Sequence, residues 1–274
     1  MRRLYPPSLS KKSSDVLKKQ QRDVDGQPDY EASVARCKQL WEQKTSSMPK
    51  KAAFTEIRSK LSEMSPGQRC HYCEDSLADE IEHMRPKDLY PEDAFRWENY
   101  VYACGPCNGP KNNKFAVIDA AGACVVVTRP RGAPVAPPVM GKQALIDPRT
   151  EDPLEFFALD LHGTFEFVPL EDASDPVRQE RAKYTLEVLR LNERDFLVTE
   201  REYAYRRYAG LLFEYARIKN INPHAEARLN RIKEAISRER FQSVWVSMQR
   251  QAKAGTAPPR LLQLFAIVPE AREW

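Results

Sequence analysis

The chain has 274 residues, 42% of them hydrophobic, enough for one large domain or two modest ones around an apolar core. Its net charge of +4 is too small to mark a nucleic-acid binder by itself, and no apolar run reaches the length of a membrane span. Six cysteines in a chain this long, with no apolar signal segment at the N-terminus, argue against a secreted disulfide scaffold and for a soluble protein of the reducing cytoplasm.

The charge is uneven. Residues 1–22 carry seven basic side chains (Arg2, Arg3, Lys11, Lys12, Lys18, Lys19, Arg22) against Asp15 alone. Residues 1–27 read as a basic, flexible arm, either lying along phosphates or serving as a solvated tail. A helical segment, 28–66, follows. One helix is expected from Tyr30 to Gln43 on Val34, Cys37, Leu40 and Trp41, and a second from Ala52 to Met64 on Phe54, Ile57 and Leu61. Ser65-Pro66-Gly67 stops the second. Cys37 falls on an apolar face and reads as a buried thiol.

Residues 67–120 form a module bracketed by Cys70/Cys73 and Cys104/Cys107. Glu82-His83 sits near the end of an expected strand, Asn99–Ala103 reads as a second strand, and a short helix is expected from Asn108 through Phe115, carrying Lys111 and Lys114. Residues 121–172 are a strand and loop region. It holds the β-branched run Cys124–Val127, a proline-rich loop, and two strands turning at His162-Gly163. Residues 173–274 are helical: Asn192 is the expected N-cap of a long Arg- and Tyr-rich helix, Asn222-Pro223 the start of the next, and Phe241, Val244, Trp245 and Met248 the stripe of another, closed by Gly255. The apolar tail Leu261–Val268 packs back or docks a partner. The fold class is α+β.

A CxxC turn lets two thiolates share one metal, and two such turns complete a tetrahedron. With 30 residues between the pairs, Cys70, Cys73, Cys104 and Cys107 are candidate ligands of a structural zinc, against free thiols or a disulfide. A site closed by four protein ligands leaves zinc no catalytic position. Taken singly, Glu82-His83 could be a surface pair, and Asn99 and Asn108 turn caps.

In order, Cys70, Cys73, Glu82, His83, Asn99, Cys104, Cys107, Asn108 and Lys111 resemble the pattern of HNH endonucleases with a zinc-ribbon frame. That resemblance implies a ββα-metal module. His83 would be the general base, Glu82 and Asn108 would hold a catalytic Mg²⁺ or Mn²⁺, and Asn99 would orient the loop near His83. Lys111, Arg85, Lys87 and Lys114 would meet phosphates. The implied reaction is hydrolysis of DNA to 5′-phosphate and 3′-hydroxyl ends, with RNA left open. Two positions depart from many members: Glu82 stands where Asp is common, and Asn108 where His is common. Glu82-His83-Met84-Arg85-Pro86-Lys87 is further similar to the HNH subunit of Septu-type phage-defence systems. Ile146-Asp147-Pro148-Arg149 to Asp152-Pro153, and Leu186 to Arg194, also look like that group, whose members work beside an ATPase subunit. No P-loop occurs here, so an ATPase would be another chain. The competing readings are a non-catalytic zinc ribbon that binds nucleic acid or protein, and an HNH nuclease in a restriction or mobile-element role.

Overall fold

The computed structural model describes residues 1–171 and 174–274, so the boundary drawn between 172 and 173 lies outside the described residues. Three helices lead: α1 (Lys11–Asp25), α2 (Tyr30–Glu42) and α3 (Met48–Glu63). α1 corrects the expectation of a flexible arm. Leu17 and Val24, seven residues apart, are buried with Gln20 and Gln21 between them. Ser10 caps the helix, and its hydroxyl and that of Ser13 donate to the Glu56 carboxylate of α3 at 2.6 and 2.5 Å. The segment has few apolar residues and is fixed instead by polar side chains that find partners. α2 is capped by Asp29, whose side chain accepts from Ala32 N. α3 starts at Met48, ahead of the expected Ala52, with Pro49 in its first turn.

The middle of the chain is a hairpin and two small sheets. β1 (Glu80–His83) pairs antiparallel with β2 (Tyr100–Ala103), Glu80 opposite Ala103 and His83 opposite Tyr100. α4 (Gly105–Lys111) follows directly. It begins earlier than expected, with Pro106 in its first turn, and Phe115 opens a strand rather than ending the helix. That strand, β3 (Phe115–Ile118), was not anticipated, because four apolar residues after a helix are ambiguous by periodicity. It lies between β4 (Cys124–Val127) and β5 (Lys142–Gln143). β6 (Phe157–Leu159) and β7 (Phe167–Pro169) pair around a turn held by Asp160, which accepts from His162 N and Thr164 N, each at 2.8 Å.

The C-terminal region contains α5 (Pro176–Val188), α6 (Asp195–Ile221), α7 (Glu226–Arg238), α8 (Gln242–Ala254) and α9 (Pro259–Ile267). Asn192 is not the cap of α6. Its amide pairs with Phe167 instead, donating to the carbonyl at 2.8 Å and accepting from the N–H at 3.0 Å, and α6 opens after Arg194. Asn222 closes α6, and α7 starts beyond Pro223, at Glu226. Tyr208, Trp245 and Phe265 pack as tilted rings, with centroids 5.3 and 5.8 Å apart. Gly255, at φ +73°, ends α8 in the left-handed conformation that favours glycine. α9 lies against α6 and α8, with Leu261 and Phe265 buried. The protein is α+β, mostly helical with small sheets. No described helix is long and apolar enough to cross a membrane.

Candidate metal centre and the hairpin site

Cys70 and Cys73 precede the hairpin; Cys104 and Cys107 open α4. All four are buried, and their sulfurs lie within 4.8 Å of one another. The Cys73–Cys104 separation is 3.8 Å. Tetrahedral bonds of about 2.3 Å to zinc place sulfurs about 3.8 Å apart, so the donor set fits a closed structural zinc. Hydrogen bonding among the sulfurs, chiefly from Cys104, holds the Cys73 thiol well below the ordinary thiol range. Arg194, just ahead of α6, donates to Cys107 Sγ at 3.3 Å, so the helical region supplies a cation to the cysteine cluster. The backbone ties the cluster to the hairpin: His71 N donates to Tyr102 O at 2.9 Å, and Tyr102 N donates back to His71 Nδ1 at 3.0 Å.

Side chains alternate along β1, so Glu82 and His83 leave opposite faces. His83 is 6% exposed, its ring edge-on to Trp41 at 4.2 Å and to Tyr100 at 5.2 Å. Its Nε2 lies 2.9 Å from the Ala94 carbonyl, which can only accept. Nε2 therefore carries the proton, and Nδ1 the lone pair. Burial pushes the imidazole down to about 3, which keeps it neutral. Asn99 is bonded to the backbone on both sides of the loop that follows His83. Its Oδ1 accepts from Arg85 N at 2.8 Å, and its Nδ2 donates to the carbonyls of Arg85 and Asp93, each at 3.0 Å. It thereby locks the stretch after His83 to the stretch that presents Ala94.

Glu82 faces α4. Lys111, at 0% exposure, donates to Glu82 Oε1 at 2.5 Å and to the His83 carbonyl at 3.0 Å. Lys111 is thus inside the site, which corrects the expectation that it faces phosphate. Desolvation raises the Glu82 carboxyl above its usual range even with Lys111 beside it, as expected where burial costs more than pairing returns. Asn108 does not reach Glu82; its Nδ2 donates to Glu80 Oε2 at 2.5 Å. Glu80, two residues before Glu82 on the same face of β1, is a site residue the sequence did not single out. Arg85 pairs with Asp93 at 2.8 Å and lies over the Tyr90 ring. Lys87 pairs with Asp88 at 3.1 Å, and Lys114 is exposed.

Three further residues support the loop between the strands. Arg149 donates to the carbonyls of Trp97 and Tyr100, both at 2.5 Å, with its guanidinium 4.4 Å over the Trp97 ring. Gln21 of α1 accepts from Phe95 N at 2.8 Å and donates to Pro91 O at 3.0 Å. Trp41 walls off His83. Arg149 was visible only within Ile146–Arg149, and Gln21 carried no signal in the sequence. Beside this loop, a groove of about 800 Å³ is lined by Lys18, Lys19, Arg22, Arg96 and Trp97, among others.

No family model matches the chain, and no solved structure matches it. A stretch of 60 residues is 42% identical to the Septu protein PtuB of Bacillus thuringiensis, covering 20% of this chain and 23% of that protein. The chain is therefore similar to a Septu protein over about a quarter of that relative's length, and it carries a buried cluster of four cysteines beside the hairpin.

Proposed function

We propose that the chain is a metal-dependent endonuclease of the HNH kind that hydrolyses phosphodiester bonds of DNA, acting as the nuclease subunit of a Septu-like anti-phage complex with an ATPase partner. The supporting observation is the geometry at His83: Nε2 donates to Ala94 O, Nδ1 is left as the acceptor, and Asn99 fixes both flanking segments. A neutral imidazole held this way takes a proton from an attacking water at Nδ1. Glu82 would hold a hard divalent ion, with Asn108 and Glu80 on the same seam adding oxygens. Such an ion supplies charge stabilisation at the phosphate. The groove along α1 and Trp97 is a path for the strand, and RNA is not excluded.

A second reading, a non-catalytic zinc module that binds nucleic acid or protein, is favoured by the engagement of Glu82 with Lys111 and by the burial of His83. Nicking of supercoiled DNA with Mg²⁺ or Mn²⁺, in the presence of co-purifying protein, separates the two. Wild type is expected to nick and His83→Ala not to. Equal nicking by both would remove His83 from the reaction, and cleavage by neither would leave the binding module.

A further inference from the structure

We propose that Lys111 is a resident cation that holds the Glu82 carboxylate in place of a divalent ion, so that metal enters this site only by exchange with the Lys111 ammonium. The inference rests on the metal-site reading above and deepens it. α4 lies against β1, and residues three apart on the helix face residues two apart on the strand. Asn108 meets Glu80, and Lys111 meets Glu82, giving two parallel contacts across one seam. The two are not alike. Asn108 and Glu80 lie toward solvent, whereas Lys111 is 0% and Glu82 7% exposed. A lysine is almost never this buried unless paired. Here its donors go to Glu82 Oε1 at 2.5 Å and His83 O at 3.0 Å. The ammonium therefore touches the carboxylate that would bind a metal and the backbone of the residue that would act as base.

A doubly charged ion joining that carboxylate would sit close to a buried ammonium 2.5 Å from it, and the two cations repel strongly in a dry setting. Departure of the ammonium relieves that repulsion. The swap requires little backbone motion, since Lys111 is the last residue of α4 and its side chain is unbranched and flexible. Without divalent metal the pair keeps a buried carboxylate from standing alone. One lysine thus closes the site whenever no divalent ion is bound.

The test uses the zinc-loaded full chain and Mn²⁺ as the probe. Binding is read from the electron paramagnetic resonance of free Mn²⁺, and stability from thermal melting with and without added Mn²⁺. Lys111→Met is expected to melt lower than wild type without Mn²⁺, to recover when Mn²⁺ is added, and to bind Mn²⁺ at least about tenfold tighter than wild type. Adding Glu82→Gln to that variant is expected to abolish both the tighter binding and the recovery. If Lys111→Met does not fold, Lys111→Gln donates a hydrogen bond to the same carboxylate without the charge, and the same gain is expected. Mn²⁺ binding no tighter in either variant than in wild type overturns the proposal, as does a gain that survives Glu82→Gln. Because cleavage is not the readout, a chain that binds Mn²⁺ as expected yet never nicks DNA would sink the nuclease reading and leave the exchange standing.

Discussion

Asn99 allows a quantitative test of how the hairpin site is held. It is 7% exposed and makes three hydrogen bonds, accepting from Arg85 N and donating to the carbonyls of Arg85 and Asp93. Truncation to alanine removes all three and strands three backbone groups in a dry setting. At about 1 kcal/mol net per bond, with a further share for the groups left unpaired, the cost is about 3–5 kcal/mol. That is a large fraction of a typical 5–15 kcal/mol stability. For a chain of this size it corresponds to a melting point roughly 6–20 °C lower. Asn99→Asp sharpens the test, since it keeps the shape and the acceptor for Arg85 N but points an oxygen at two carbonyls. We expect it to be at least as destabilising as alanine at neutral pH, when melting is followed by circular dichroism on zinc-loaded protein. Asn99→Asp melting within about 2 °C of wild type would show that the two amide donations contribute nothing, and the clamp would have to be assigned elsewhere.

Four other outcomes follow from the same geometry. Arg149→Met removes two hydrogen bonds from a guanidinium to the Trp97 and Tyr100 carbonyls and is expected to cost about 2–4 kcal/mol in urea unfolding; a loss below about 0.5 kcal/mol would make that contact incidental. In zinc-loaded protein, iodoacetamide should label Cys124 first and leave Cys37 untouched. Cys124 is half-buried, whereas Cys37 is at 0% exposure and its thiol is pushed up to about 12; peptide mass spectrometry finding Cys37 modified first would contradict this. Metal analysis should find about one zinc per chain, and Cys104→Ser should lose it together with the hairpin's protection from proteolysis. Replacing Lys18 and Lys19 with Glu should weaken DNA binding and make its salt dependence shallower by up to about two phosphate contacts, read by fluorescence anisotropy across a salt series; an unchanged slope would move the strand out of the α1 groove.

The parts of the site that were legible in the sequence are those fixed by local spacing. Each CxxC brings two sulfurs together through a single turn, and the two turns converge because β1 and β2 are adjacent strands of one hairpin. Cys124–Val127 and the hairpin around His162-Gly163 were legible for the same reason: a β-branched run and a turn are properties of neighbouring residues. α1 was not, because what buries it is chemically polar and distant in sequence. Gln21 is 74 residues from Phe95, and Ser10 and Ser13 are held by Glu56. Low hydrophobicity argues for disorder only while polar groups lack partners, and no window of sequence reports a partner that far away.

The pairings of Lys111 and Asn108 were not legible for a related reason. Matching a family pattern assigns a residue to a position, and the position does not specify which carboxylate it meets. Strand alternation already required Glu80 and Glu82 to share a face of β1, and helical spacing required Asn108 and Lys111 to share one of α4. Two acids facing two partners allow two pairings, and the burial of each end decides between them. The inner end is dry and takes a full charge pair, Lys111 with Glu82; the outer end is wet and takes the neutral amide, Asn108 with Glu80. The same ordering explains why Glu82 can be both the deepest acid of the seam and the one a divalent ion would need. A carboxylate kept out of water attracts cations strongly, and in this chain the cation already in contact with it is its own lysine.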